Sequence, residues 1–304
     1  MTRSPSGVLP GRVMLAFIIV TLIWGSTWLV IRGQLGTVDP AWSICYRFLI
    51  AAAAMFVYGA FARSPMRLGR AGIRLVSLIA LTQFFLNYTL VYHAEARVTS
   101  GVVAMIFALL IVPNALLARL FLGMPIAPRF ALGSVVSLGG LGFLFGNEIV
   151  HAASGGGPVA LGIAMALVSV LACGCANVLQ ASRLGRTLSP VPVMAWSMLI
   201  GSAMNALFGL VVAGAPTIDL DPTYLGGIVY LGLFGSAVTF PLYYLVIREM
   251  GPARAAYSSV LTPVIAMGLS TLFEGYRWSL AAAFGALLVL IGLLVALSAR
   301  KPAA

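Results

Sequence analysis

Ten apolar stretches leave this chain of 304 residues few ways to fold. A bilayer-spanning helix needs about 20 mostly apolar residues, and a backbone in hydrocarbon must satisfy its own hydrogen bonds. The stretches run over residues 13–31, 41–61, 75–92, 98–118, 131–146, 158–179, 191–213, 224–247, 255–273 and 279–297. The connections are short and punctuated by Gly, Pro or charge, which leaves no room for an extramembrane domain. Only 8% of the residues are charged, against about 25% in a soluble domain. The reading is an all-α integral membrane protein of ten transmembrane helices. Arg3 and Arg12 before the first stretch imitate a signal peptide. That stretch carries the bulky Trp24 and Trp28 and no small-residue cleavage site after it, so it is expected to stay as a helix.

A net charge of +11 would point to nucleic acid in a soluble chain, but here its placement decides otherwise. With the N-terminus in the cytoplasm, Arg3, Arg12, Arg63, Arg67, Arg70, Arg74, Arg119, Arg129, Arg183, Arg186, Arg248, Arg254, Arg300 and Lys301 fall inside. Arg32, Arg97 and Arg277 fall outside, and Arg47 lies within a span. The acids run the other way, with Asp39, Glu95, Glu148, Asp219, Asp221 and Glu274 outside and Glu249 inside. This is the positive-inside pattern. It places both termini in the cytoplasm, with the lipid bilayer as partner and no nucleic acid.

A shift of 152 residues superimposes Phe121 on Phe273, Gly123 on Gly275, Gly133 on Gly285 and Gly140 on Gly292, with Tyr88 on Phe240 and Tyr92 on Tyr244. Residues 1–150 and 151–304 therefore read as two repeats of five helices. Five is odd, so the second repeat must run through the membrane in the opposite sense. Inverted repeats of this kind support alternating access around a site near the midplane, and the chain reads as a transporter.

The stretches LIWGSTWLVIR, YRFLIAAAAM, GPARAAYSSVLTPVIAMGLSTLFEG and FGALLVLIGLLVAL resemble the ten-helix drug/metabolite transporter superfamily, EamA type, over nearly the whole chain. The aromatic third and eighth helices resemble its aromatic amino-acid exporter branch, the YddG type. Many relatives carry Gly-Glu after the fourth and ninth helices, where this chain has Gly123-Met124 and Glu274-Gly275, so no role for that glutamate is carried over. The resemblance implies an inner-membrane exporter of a small amphipathic solute, with a cavity between helices one, three, four, six, eight and nine.

Polar and aromatic residues within the spans are the candidates for its lining, because each must be satisfied away from lipid. In the third helix Gln83 and Asn87 share one face and Tyr88 and Tyr92 the adjacent one. The eighth helix answers with Phe240 and Tyr244, although an aromatic belt at the interface would also account for such rings. Trp24 in the first helix and Asn177 in the sixth join them. In AAYSSVLTP, Tyr257 and Ser258 add hydroxyls, with self-bonding to helix carbonyls as the alternative. Pro241 and Pro263 each remove a helix hydrogen bond and are candidate hinges. A lining of rings and hydroxyls suits aromatic or hydrophobic amino acids. Other metabolites or drugs on the same scaffold, or a membrane sensor without flux, remain as alternatives.

The spans as read contain no Asp or Glu, so no catalytic residues, metal or cofactor are expected, and transport is expected to be facilitative. Cys45, Cys173 and Cys175 read as small buried residues without the His, Asp or Glu that a metal site would add. Arg47 stands alone as a charge in a span. It can snorkel outward, brace helix ends or an acid, or hold a substrate carboxylate. The favoured reading is structural.

Overall fold

The computed structural model describes residues 11–98, 100–144, 156–273 and 279–298. The repeat boundary at 150/151, the Glu274-Gly275 pair, Glu148 and Arg277 lie outside them. Among the described residues the chain is helical with no strand. The principal helices are α1 (Gly11–Arg32), α2 (Pro40–Phe61), α3 (Arg70–Glu95), α4 (Ser100–Ala108 continued by Ile111–Leu122), α5 (Pro128–Leu144), α6 (Gly156–Ala181), α7 (Pro190–Val212), α8 (Pro222–Met250), α9 (Tyr257–Phe273) and α10 (Leu280–Leu297). Among the described residues seven of these, α1 to α4 and α6 to α8, are long and apolar enough to cross a membrane. The other three have 17, 17 and 18 residues, or about 26 Å of rise against a core of about 30 Å.

Local chemistry sets the helix ends. Asp39 accepts from Ala41 N at 2.8 Å and Pro40 opens α2, while Asp221 accepts from Thr223 N at 2.8 Å and Pro222 opens α8. Gly123, at φ 64°, ends α4 in the left-handed region that glycine enters without penalty. Two ends of the bundle can be followed by contact. At the arginine-rich end, Arg248 donates to Leu188 O at 3.3 Å and Asn114 Nδ2 to Pro252 O at 2.9 Å. At the opposite end, Gln34 donates to Tyr224 O at 3.3 Å and Thr37 to Asp219 at 2.6 Å.

The packing is reciprocal between the two halves of the chain. α1 lies on α8 and α9, and α6 lies on α3 and α4; α2 pairs with α7, and α5 with α10. A Cβ on Gly140 would stand 2.6 Å from Gly285 O, and one on Gly133 would collide with Gly292 O. The two glycine pairs that match under the 152-residue shift thus cross one another at the α5–α10 contact. Small residues let these backbones approach where no hydrophobic effect drives helices together.

Candidate functional site

α3 and α8 each hold a π-helical segment at corresponding depth, Ala80–Asn87 and Leu233–Val238. Such wide turns take carbonyls out of the regular ladder and occur frequently at functional sites. Pro241 follows the segment in α8, whereas the segment in α3 holds no proline. Between these two helices and α1, α4, α6 and α9 lies a cavity of about 70 Å³.

The walls are aromatic. Trp24 from α1 meets Phe240 and Tyr243 of α8 edge-on, with ring centroids 5.5 and 4.8 Å apart. Trp28 meets Phe107 of α4 at 5.5 Å, and Tyr88 of α3 faces Phe240 at 6.4 Å. Edge-to-face geometry holds such rings firmly in place. Trp24 is further fixed by its indole N–H, 3.1 Å from Thr239 Oγ1 and 3.3 Å from Gly235 O. The polar part of the lining is neutral. Gln83 donates to Asn87 Oδ1 at 3.3 Å, and Asn87 donates to Ser169 O at 3.0 Å. Cys173, Thr27, Ser259 and Thr262 complete it, and none of the lining residues carries a charge.

Of the residues expected to form a site, Trp24, Asn87, Tyr88 and Phe240 line this cavity together. Tyr92, Asn177, Tyr244, Tyr257 and Ser258 are buried but do not line it. Tyr244 donates to Gly185 O, and Tyr257 shares a hydrogen bond of 3.2 Å with Ser134 Oγ, so both tie helices together at the arginine-rich end. Ser258 bonds back to Ala255 O at 3.0 Å, the self-bonding alternative. Asn177 donates to Asn114 Oδ1 at 3.3 Å, linking α6 to α4.

Ile31, Val91 and Leu110 line the cavity without any local mark of it, because an apolar side chain reads alike against cavity, lipid or core. Tyr243 and Trp28 did carry a signal, as aromatic neighbours one turn or less from Phe240 and Trp24. Pro241 and Pro263 lie within continuous helix. The interruption among the proline-bearing helices comes in α4 at Leu109–Leu110, where Pro113 has no N–H to donate to Leu109 O.

Arg47 is 1% exposed and sits against the wall rather than in it. Its Nε donates to Ser236 Oγ at 3.0 Å, and its Nη2 lies 3.3 Å from both Gly235 O and Tyr88 Oη. The guanidinium carbon stands 4.5 Å over the Tyr88 ring, a cation–π contact. Arg47 thereby joins α2 to the π-helical segment of α8 and to α3. Glu95, read from the sequence as an outer helix-end acid, closes α3 and is 2% exposed, with Ser100 donating to it at 3.3 Å.

The model of the EamA-like transporter family matches residues 11–146 and 160–298, which take in α1 to α5 and α6 to α10 in turn. The chain is 22% identical over 282 residues to "Uncharacterized transporter YoaV" of Bacillus subtilis (strain 168), covering 93% of this chain and 95% of that one. It is 23% identical over 291 residues to "Protein PagO" of Salmonella typhimurium, with 95% and 94% covered. It is 26% identical over 257 residues to "Uncharacterized inner membrane transporter YedA" of Escherichia coli (strain K12), with 82% and 79% covered. A solved protein crystal structure superimposes with a TM-score of 0.77 at 20% identity, over 96% of this chain and 99% of its own, which shows the same fold.

Proposed function

The chain belongs to the EamA-like transporter family, and within it we propose an exporter of amino acids, aromatic and hydrophobic ones first, in a bacterial inner membrane. The observation that carries this reading is the cavity. Trp24, Trp28, Tyr88, Phe107, Phe240 and Tyr243 give it faces and edges for a flat ring. Asn87 and Gln83 give neutral hydrogen bonds for an amino acid's polar end. Recognition of this kind is weak and broad, which suits a solute that must be released on the far side.

Transport proceeds by alternating access of the halves 1–150 and 151–304 around the cavity, with Pro241 and Pro263 as hinges. Because the lining is uncharged, the reading is facilitative: flux follows the solute gradient. The arginines gathered at the end where α1 begins support a reading with both termini in the cytoplasm.

The test is uptake into liposomes holding the purified protein, with labelled aromatic, aliphatic and polar amino acids, with and without a pH gradient. Saturable flux of aromatic solutes, independent of the pH gradient, is the expected result. Flux of polar solutes alone, or none for any amino acid, overturns the substrate reading.

A further inference from the structure

Among the described residues, the buried charged side chains are Arg47 and Glu95. They do not pair. Arg47 is surrounded by a serine hydroxyl, a tyrosine and a backbone carbonyl, all neutral. Glu95 lies further along α3, beyond Tyr92, and takes its hydrogen bond from Ser100. Three buried polar atoms on this side of the bundle have no partner: Arg47 Nη1, Tyr92 Oη and Glu95 Oε1. A buried cation with no acid in direct contact is costly, and such groups are ordinarily paired.

What holds Arg47 also lines the cavity. Tyr88, under the guanidinium and bonded to Nη2, is part of the wall. Gly235, the other partner, lies against Thr27 and receives the indole N–H of Trp24, and both of those side chains line the cavity too. One layer of side chains therefore separates the charge from the space. Away from water a charge at that distance is poorly screened, and no lining residue offers a charge to oppose it.

We propose that Arg47 is a specificity-determining residue, selecting solutes that carry a carboxylate and disfavouring those that carry only a cation. Arg47 sets a positive potential in the cavity across the Tyr88 and Gly235 wall. This deepens the exporter reading and rests on the cavity being the solute site. It also separates two jobs in one side chain: Nε and Nη2 hold the helices, and the remaining charge filters the cargo.

The experiment is calorimetric titration of the purified full-length chain in detergent with four probes of one shape: L-phenylalanine, 3-phenylpropionate, L-phenylalaninamide and phenethylamine. The first two carry a carboxylate and the last two do not. The two carboxylates are expected to bind at least tenfold more tightly than the amide and the amine. Arg47→Lys is expected to keep the order and Arg47→Gln to lose it. The wild-type comparison stands even where a variant fails to fold. Phenethylamine binding as tightly as 3-phenylpropionate, binding of neither carboxylate, or an order unchanged in a folded Arg47→Gln protein overturns the proposal. Liposome flux measured beside it separates the two readings. Carboxylate-selective binding without amino-acid flux keeps the filter and removes the exporter, whereas flux without carboxylate preference does the reverse.

Discussion

Asn205 Nδ2 donates to Phe84 O at 2.9 Å, and that carbonyl belongs to the π-helical segment of α3. Arg47 Nη2 does the same for Gly235 O in the π-helical segment of α8. Asn205 stands on α7 and Arg47 on α2, so each half of the chain completes the irregular helix of the other. In a membrane interior no water can serve a carbonyl that a wide turn releases. Asn205→Leu, which keeps the bulk and removes the donor, is expected to cost about 1–3 kcal/mol. A fall of several degrees in the melting midpoint of the purified protein would show it. An unchanged midpoint would mean that Phe84 O finds another donor.

The α5–α10 crossing gives a second prediction with an internal control. In Gly140→Ala the new methyl would lie 2.6 Å from Gly285 O and 2.8 Å from Val289 N, both backbone atoms. Separating the helices to fit it is expected to cost about 1–3 kcal/mol. Gly139, one position along, has nothing within 4 Å of a Cβ. Gly139→Ala should leave stability equal or higher by up to about 1 kcal/mol, since alanine is the better helix former. Equal melting of the two variants would refute the close crossing.

That crossing also shows how far the sequence could be followed. Long apolar runs and short charged turns make the helices legible, and the 152-residue match of Gly133 with Gly285 and Gly140 with Gly292 marks equivalent positions in the two repeats without saying that their helices meet. The third apolar run covers 75–92 whereas the helix covers 70–95, because Arg70, Arg74 and Glu95 lower hydropathy without ending the backbone ladder. The π-helical segments had no mark in either sequence, ALTQFFLN or LFGSAV. Helical period put Tyr88 and Tyr92 on one face but could not say where the cavity stops. It stops between them, leaving Tyr92 fully buried with its hydroxyl unpartnered.

Phe240 is the ring on which three others converge: Trp24 at 5.5 Å, Phe84 at 4.9 Å and Tyr88 at 6.4 Å. Phe240→Leu keeps an apolar side chain while removing the aromatic edge. With about 0.5–1.5 kcal/mol for each aromatic pair, loss of contact with a ring-bearing solute is expected to raise its half-saturation concentration roughly tenfold. Phe143 pairs with Phe284 on the outer surface, both half-exposed, so Phe143→Leu serves as the comparison and should leave flux unchanged. Equal effects of the two substitutions would place the solute elsewhere.

Orientation in the membrane follows from which charges share an end. Arg63, Arg67, Arg70, Arg186 and Arg248 gather with the chain's first helix start, and Asp39, Asp219 and Asp221 gather at the other end. The Thr37 hydroxyl, with the Asp221 N–H, holds the Asp219 carboxyl below its usual pKa. Since Lys and Arg near helix ends resist translocation, the arginine-rich end is expected in the cytoplasm. Single cysteines at Arg67 and at Leu220, in a chain with Cys45, Cys173 and Cys175 replaced, read this directly. A membrane-impermeant maleimide added to intact cells should label Leu220→Cys and spare Arg67→Cys until the membrane is permeabilised. The opposite pattern would invert the protein, and with it the direction in which the arginine-rich end meets its solute.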